Sequence, residues 1–209
     1  MEVMVGSTAL MRELTERILK VSGLEFELGE VPYSRAIADF SAGRAQVLLM
    51  GEASLKGVDP NGVRVPMMNM QVALYTRMPA YRYPLDGNSV IGTLRGFQIP
   101  GQLTSFGAQQ QSANKIESLL KMLALGRITH AILVKANADI YMKNNPEIRK
   151  AIEVSAIVGA LQVNAHISSR LGQACTERLM YAASKVRLSE MERIFAKTVP
   201  ELDYKEFKY

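Results

Sequence analysis

Two stretches far apart in the chain carry one pattern. Residues 31–52 read VPYSRAIADFSAGRAQVLLMGE and residues 116–134 read IESLLKMLALGRITHAILV. In each, an apolar helical stripe meets a glycine, an arginine follows, and an apolar run begins soon after. Glycine ends helices because it alone enters the left-handed region without a steric penalty. A continuous apolar run reads as a strand covered on both faces. A helix that passes directly into a covered strand is the building step of a parallel α/β sheet with right-handed crossovers.

The neighbouring residues extend the first step. EVMVG (2–6) is a short strand, and Ser7 or Thr8 is placed to cap a helix whose Leu10, Leu14 and Ile18 recur at four-residue spacing. Gly23 stops that helix, and LEFEL (24–28) alternates as a half-buried strand does. A second helix carries Ile37 and Phe40 inward, Gly43 stops it, and VLLM (47–50) is the next strand. Residues 51–66, with Gly51, Gly57, Pro60, Gly62 and Pro66, read as a loop. MQVALYTR (70–77) and VIGTLRG (90–96) are strands, GAQQQSAN is a polar lead into a helix, and AILV (131–134) is a buried strand. A short helix at 137–144, a last strand at 160–168 and a helical tail follow. Within the tail, Ser189 and Glu192 have capping-box spacing.

Two helix–Gly–strand steps so widely separated imply two α/β sheets. The expected architecture is an α/β fold of two lobes, the second inserted into the first, with lobe 1 formed by 1–72 and 167–209 and lobe 2 by 73–166. Two strand-like crossings, near 70–77 and 160–168, would form a hinge. Open α/β sheets bind ligands beyond the carboxyl ends of their strands, where helix amino termini gather. Two such edges facing one another make a clamp for a small molecule.

Composition narrows the function classes. The chain has 209 residues, 48% hydrophobic and 22% charged, ordinary for a folded globular chain. No apolar run approaches the roughly 20 residues of a membrane-spanning helix. Ten Lys and Arg against five Asp and Glu fall in 75–165, so this middle segment carries the whole formal charge of +5. These cations are scattered rather than clustered with stacking aromatics, which argues against nucleic acid. The single Cys175 permits no internal disulfide, and His130 and His166 lie in apolar runs as structural residues. No metal or cofactor is implied.

Several stretches resemble the bacterial extracellular solute-binding proteins of family 3, the amino-acid receptors of ABC transporters with the type II periplasmic binding-protein fold. VPYSRAIADFSAGRAQVLLM is similar to their first-lobe helix–strand stretch, VIGTLRGF to the step into the second lobe, and ESLLKMLALGRITHAILV to the second-lobe unit. NPEIRKAIEV and HISSRLGQACTERLMYAASKVRLSEMERIF are similar to the return segment and the terminal helices. The resemblance implies a periplasmic protein, probed by an ABC permease or a membrane sensor and acting as a monomer. The ligand motifs depart from the family. The arginine motif that grips an α-carboxylate is absent from GEASLKGVDPNGVR, Lys135 stands where the family places an amine-binding aspartate, and Gln46 and His130 replace two further acids. The usual amino-acid clamp is therefore not expected in its usual form.

Strand-end positions give the candidate ligand-binding residues: Ser7, Thr8, Tyr33, Arg35, Gly51 and Glu52 on the first lobe, and Arg95, Gly96, Phe97, Lys135 and Asn137 on the second. Tyr75 and Arg77 join them from a crossing. Tyr33 and Phe97 are candidate ring platforms, and Arg35, Arg95 or Lys135 a seat for an anionic end. Glu52 is the one first-lobe carboxylate at a strand end, and the only candidate acid or base for an enzyme of this fold, such as a dehydratase. No catalytic residue is assigned, and the expected function is to hold a small polar solute for transport. A sensory or orphan module of the same fold is the alternative.

Overall fold

The computed structural model describes residues 2–5, 9–31, 33–51, 58–80, 84–95, 97 and 107–207. The chain divides into two compact units, one formed by Met1–Asn69 with Gln162–Tyr209 and the other by Met70–Leu161.

Unit 1 is built on three parallel strands, β1 (Glu2–Val5), β2 (Glu27–Glu30) and β3 (Val47–Gly51). Helix α1 (Ala9–Ser22) joins β1 to β2, and α2 (Tyr33–Ser41) joins β2 to β3. The strand order is β2-β1-β3-β8, where β8 (Ile152–Ile167) returns antiparallel and pairs Val47 with Ile167 through Gly51 with Val163. Its outer layer comes from the tail, where α6 (Gln173–Ser189) and α7 (Met191–Thr198) pack on α1. Leu10, Leu14, Ile18 and Leu19 of α1 are buried, as are Leu179, Ala182 and Val186 of α6 and Ile194 and Phe195 of α7. Phe195 is sealed by Tyr204 and Phe207, with ring centroids at 5.2 and 4.9 Å. Beneath α2 lies a second cluster of Ala36, Phe40, Ala45, Leu48 and Met50. His166, opposite Leu48 in the register, is buried edge-on to Phe40.

Unit 2 has the order β4-β7-β5-β6. β5 (Val90–Leu94) is parallel to both β6 (Gln109–Ala113) and β7 (His130–Val134), while β4 (Val63–Arg77) runs antiparallel to β7. Helices α3 (Ile116–Ala124), α4 (Lys135–Lys143) and α5 (Pro146–Ala151) complete it. Tyr75, Leu119, Leu120, Leu123, Ile128, Ala131 and Leu133 form its main core. A smaller cluster of Val72, Leu74, Ile91 and Ile132 is built from the alternate residues of the same strands. His130 is buried, its Nδ1 2.9 Å from the Thr129 hydroxyl. Strands β4 and β8 each run from one unit into the other, since the unit boundaries fall inside them.

Three sequence expectations are corrected. The end of the expected 51–66 loop is strand: β4 starts at Val63, and its Val65, Met67 and Met68 are buried despite Pro66. GAQQQSAN is not a coil lead, because Gln109–Ala113 pairs parallel with β5. Ser189 and Glu192 make no capping box. Ser189 ends α6 with its hydroxyl donating to the Lys185 carbonyl, and α7 starts from Glu190 without a side-chain cap.

The repeated step is built alike in both units. Gly43 (φ +75°) donates to the Phe40 carbonyl and Arg44 to Asp39; Gly126 (φ +71°) donates to Leu123 and Arg127 to Met122. This is the two-bond closure of a helix by a left-handed glycine. A Cβ at Gly43 would overlap the Arg170 guanidinium, and at Gly126 it would lie 2.8 Å from Arg77. Gly43→Ala is therefore expected to destabilise by the ~1–2 kcal/mol of a left-handed alanine and to displace the Arg170 side chain, read as a lower urea midpoint. Gly172→Ala, at φ −63° with open space around it, should shift the same midpoint far less.

Candidate functional site

Parallel register fixes where chemistry can gather. In unit 1, β1, β2 and β3 end at Val5, Glu30 and Gly51 along one edge. Gly51 is buried and pairs with Val163. Ser7, Thr8 and Glu52 lie outside the described residues, as does the side chain of Tyr33, whose backbone opens α2. Arg35 is exposed, but it is engaged. Its Nε donates to Asp39 Oδ2 at 2.9 Å one helical turn on, while Arg44 donates twice to Asp39 Oδ1 at 2.8 and 2.5 Å. Hydrogen bonds from Arg44 and then Arg35 hold the Asp39 carboxyl below its ordinary range. The expected anion seat at Arg35 is thus an ion pair whose carboxylate fastens the end of α2.

In unit 2 the parallel strands end at Leu94, Ala113 and Val134. Ile91 pairs with His130 and Gly92 with Ala131, so Arg95 follows β5 at the same end of the sheet at which α4 follows β7. The Arg95 amide donates to the Ala113 carbonyl at 2.9 Å, which pins the turn. Its side chain is exposed and has no hydrogen bond or ion pair among the described residues. Gly96 is outside the described residues. Phe97 is half-buried against Val72, Leu74, Ile91 and Ile132, so it packs on the sheet.

Helix α4 starts at once after β7, with Val134 as its first flanking residue and no side-chain cap. Its first-turn amides are unspent within the helix, as at any helix start. Asn137 lies in this turn, half-buried, with no side-chain hydrogen bond among the described residues. Lys135 is different. Its Nζ donates to Asp139 Oδ2 at 2.6 Å, and both side chains are about a third exposed (31% and 33%). The charge inversion expected of a lysine at this position is cancelled by the acid one turn later.

Tyr75, expected among the ligand-binding residues, is instead a core residue: it is 0% exposed and belongs to the main cluster of unit 2. Its hydroxyl donates toward Asp139 Oδ1 at 3.3 Å and lies 3.4 Å from the Lys135 carbonyl. Burial first, and the Asp139 charge second, push the phenol pKa up. Arg77 is half-buried over Gly126. Asp139, which sequence reasoning passed over, links Tyr75 and Lys135. Its signal was the four-residue spacing of Lys135 and Asp139 on a helix.

No group of three His, Cys, Asp or Glu side chains able to hold a metal lies together among the described residues. No described helix is long and apolar enough to cross a membrane.

No protein-family model matches the chain, and no curated protein matches it in sequence. Solved structures do. The ligand-binding core of GluR0 in complex with L-glutamate superposes with a TM-score of 0.78 at 11% identity, covering 95% of this chain and 98% of that one. The arginine-, lysine-, histidine-binding protein ArtJ from Geobacillus stearothermophilus gives 0.73 at 17% identity, covering 96% of each. An amino-acid ABC transporter substrate-binding protein, AbpA from Streptococcus pneumoniae, bound to L-arginine, gives 0.73 at 13% identity, covering 94% of each. The fold is that of the type II periplasmic binding proteins. Coverage of 95% and 96% of this chain means that nearly all of it follows this fold.

Two pH responses follow from the side chains in place. Tyr75 titrates higher when folded than when unfolded, so its contribution is full below its ordinary value of 10.0 and is lost as pH rises above it. Tyr75→Phe should cost roughly 1 kcal/mol at neutral pH and flatten the alkaline fall in stability, measured by urea unfolding across pH. Asp39 behaves oppositely. Its folded value is depressed, so its contribution is present above 3.8 and lost as pH falls. Asp39→Asn should flatten the acid limb, and an unchanged limb would rule out this pair as its source.

Proposed function

We propose that the chain is a solute-binding protein that holds a small polar ligand through an anionic group, in service of ABC-type transport from the periplasm. The observation that carries this reading is the carboxyl edge of unit 2. Arg95 follows β5 with a guanidinium that no described residue occupies, at the same sheet end as the uncapped start of α4, where Asn137 also has an open amide. A guanidinium on an anchored main chain, at the sheet end where a helix starts, favours a carboxylate, with the planar fork able to grip both oxygens. The neighbouring Lys135 adds little net charge, because Asp139 neutralises it.

The solved neighbours support the class of ligand. GluR0 is bound to L-glutamate and AbpA to L-arginine, and both ligands carry a carboxylate. What the residues here do not offer is an unpaired acid at the start of α4 for a ligand amine, since Asp139 is held by Lys135. A carboxylate-bearing solute whose remaining groups are neutral or aromatic fits this set better than a free basic amino acid. The chain is read as a binder because the solved structures it resembles are binding proteins, AbpA and ArtJ among them.

Thermal unfolding in the presence of amino acids, dicarboxylates, aromatic acids and sugars tests the reading. A carboxylate-bearing compound at about 100 times its Kd should stabilise by ~2.7 kcal/mol, and Arg95→Gln should remove that gain while leaving the ligand-free melting temperature unchanged. If no small molecule raises the melting temperature, the protein is not a solute binder. If a free basic amino acid is the tightest ligand, the assignment of charge at α4 is wrong.

A further inference from the structure

Strand β6 ends the strand order of unit 2, so one of its long edges has no described neighbour. Its sequence is QQQSA, and Gln109 through Ser112 are all exposed. Sheets that end in this way carry unpaired N–H and C=O groups, and proteins block them with charged side chains, proline or bulges. Here none of these is present. From Gly107 to Asn114, GAQQQSAN, there is no charged residue and no proline, and the ladder to β5 runs in regular register from Val90–Gln109 to Leu94–Ala113.

The direction of each backbone group follows from two hydrogen bonds. The Gln109 amide donates to the Ser89 carbonyl, and the Ala113 carbonyl accepts from the Arg95 amide, both at 2.9 Å. Odd-numbered residues of β6 therefore face β5. Backbone groups alternate along a strand, so those of Gln110 and Ser112 face outward.

We propose that this edge pairs antiparallel with the β6 of a second copy of the chain, about a two-fold axis at Gln111. That register lays Gln109–Ala113 fully onto itself. It sets outward-facing Gln110 opposite Ser112 of the second copy, and Ser112 opposite its Gln110, as hydrogen-bonded pairs. Gln111 meets its own equivalent at the closer, non-hydrogen-bonded position. An identical strand is the fitting occupant because glutamine and serine side chains both donate and accept, so like meets like without an unsatisfied group. Unit 2 holds an excess of cations, and the neutral strand is where two copies can approach without placing like charges opposite one another. A five-residue pairing alone covers far less than the ~1,200 Å² of a stable interface, so the dimer is weak and depends on concentration. The resemblance implied a monomer, so the two expectations differ in oligomeric state.

Sedimentation velocity of the full chain, from low micromolar to near-millimolar concentration, tests this. The wild type is expected to pass from monomer to dimer. Ser112→Pro removes only an outward N–H, and edge strands accept such a proline. Gln111→Lys places two cations opposite one another at the axis. Both variants should stay monomeric with the wild-type melting temperature. In a Cys175→Ser background, Gln111→Cys should oxidise to a disulfide dimer, because non-hydrogen-bonded partners stand at disulfide distance, whereas Gln110→Cys should not. A wild type that is monomeric at every concentration overturns the proposal. So does a dimer that Gln111→Lys leaves intact.

Discussion

Three of the described helices end on a glycine in the left-handed conformation, and much of the parallel sheet rests on that device. Gly23, Gly43 and Gly126 have φ of +64°, +75° and +71°. The strands that follow begin at Glu27, Val47 and His130, so every one of these glycines lies four residues before a strand. A helix that frayed instead of closing would deliver its strand out of register. A one-residue slip moves every side chain to the opposite face of the sheet. Each glycine is also approached by an arginine from a distant part of its unit: Arg178 at Gly23, Arg170 at Gly43 and Arg77 at Gly126. Arg178 donates to the Ser22 and Gly23 carbonyls, both at 2.9 Å. A cation at a helix carboxyl end meets the unpaired carbonyls and the negative end of the dipole. The missing Cβ is what lets it come so close, so one residue type serves both the turn and the tertiary contact.

What the sequence made legible follows from this. VLLM and AILV lie within β3 and β7 as found, and Gly43 and Gly126 end the helices before them. Strong local punctuation and a buried apolar run agree there, and agreement across levels makes a segment readable. β6 was opaque because three glutamines and a serine carry no apolar period, and its strand character comes from pairing with β5. β4 was cut short by the turn-like Gly62 and Pro66, although Val65 and Met67 on either side of Pro66 are buried. The capping-box pattern at Ser189 failed because a serine near a helix end can as readily bond backward to the carbonyl four residues before it.

The candidate site was read less well than the fold, for a reason with one form. A strand-end position says that a side chain has the chance to meet a ligand, not that it is free to do so. Tyr75 shares strand β4 with positions that alternate between two clusters. Its phase places it with Ala73 under α3, while Val72 and Leu74 join the other cluster. Arg35 and Lys135 each stand in the first turn of a helix, and each has an aspartate four residues on, Asp39 and Asp139. That spacing brings the two side chains onto one helical face, where the pair forms before any ligand arrives. Both partners are visible in the sequence, so the lost charges could have been counted there.

The same rule separates Arg95 from the other cations of the candidate site. It stands on a turn after β5, not inside a helix, so no residue four positions on is brought beneath it. Its backbone is fixed by the Ala113 carbonyl, while its guanidinium points from an exposed position with no partner among the described residues. An arginine whose main chain is anchored and whose side chain is uncommitted loses less freedom on gripping a ligand than one on a mobile loop. An Arg35 or a Lys135 would first have to leave a carboxylate, and the charge gained by the ligand would be offset by the charge abandoned on the aspartate. Among the described cations at the strand ends, the position of the uncommitted one is therefore a better guide to ligand chemistry than their number.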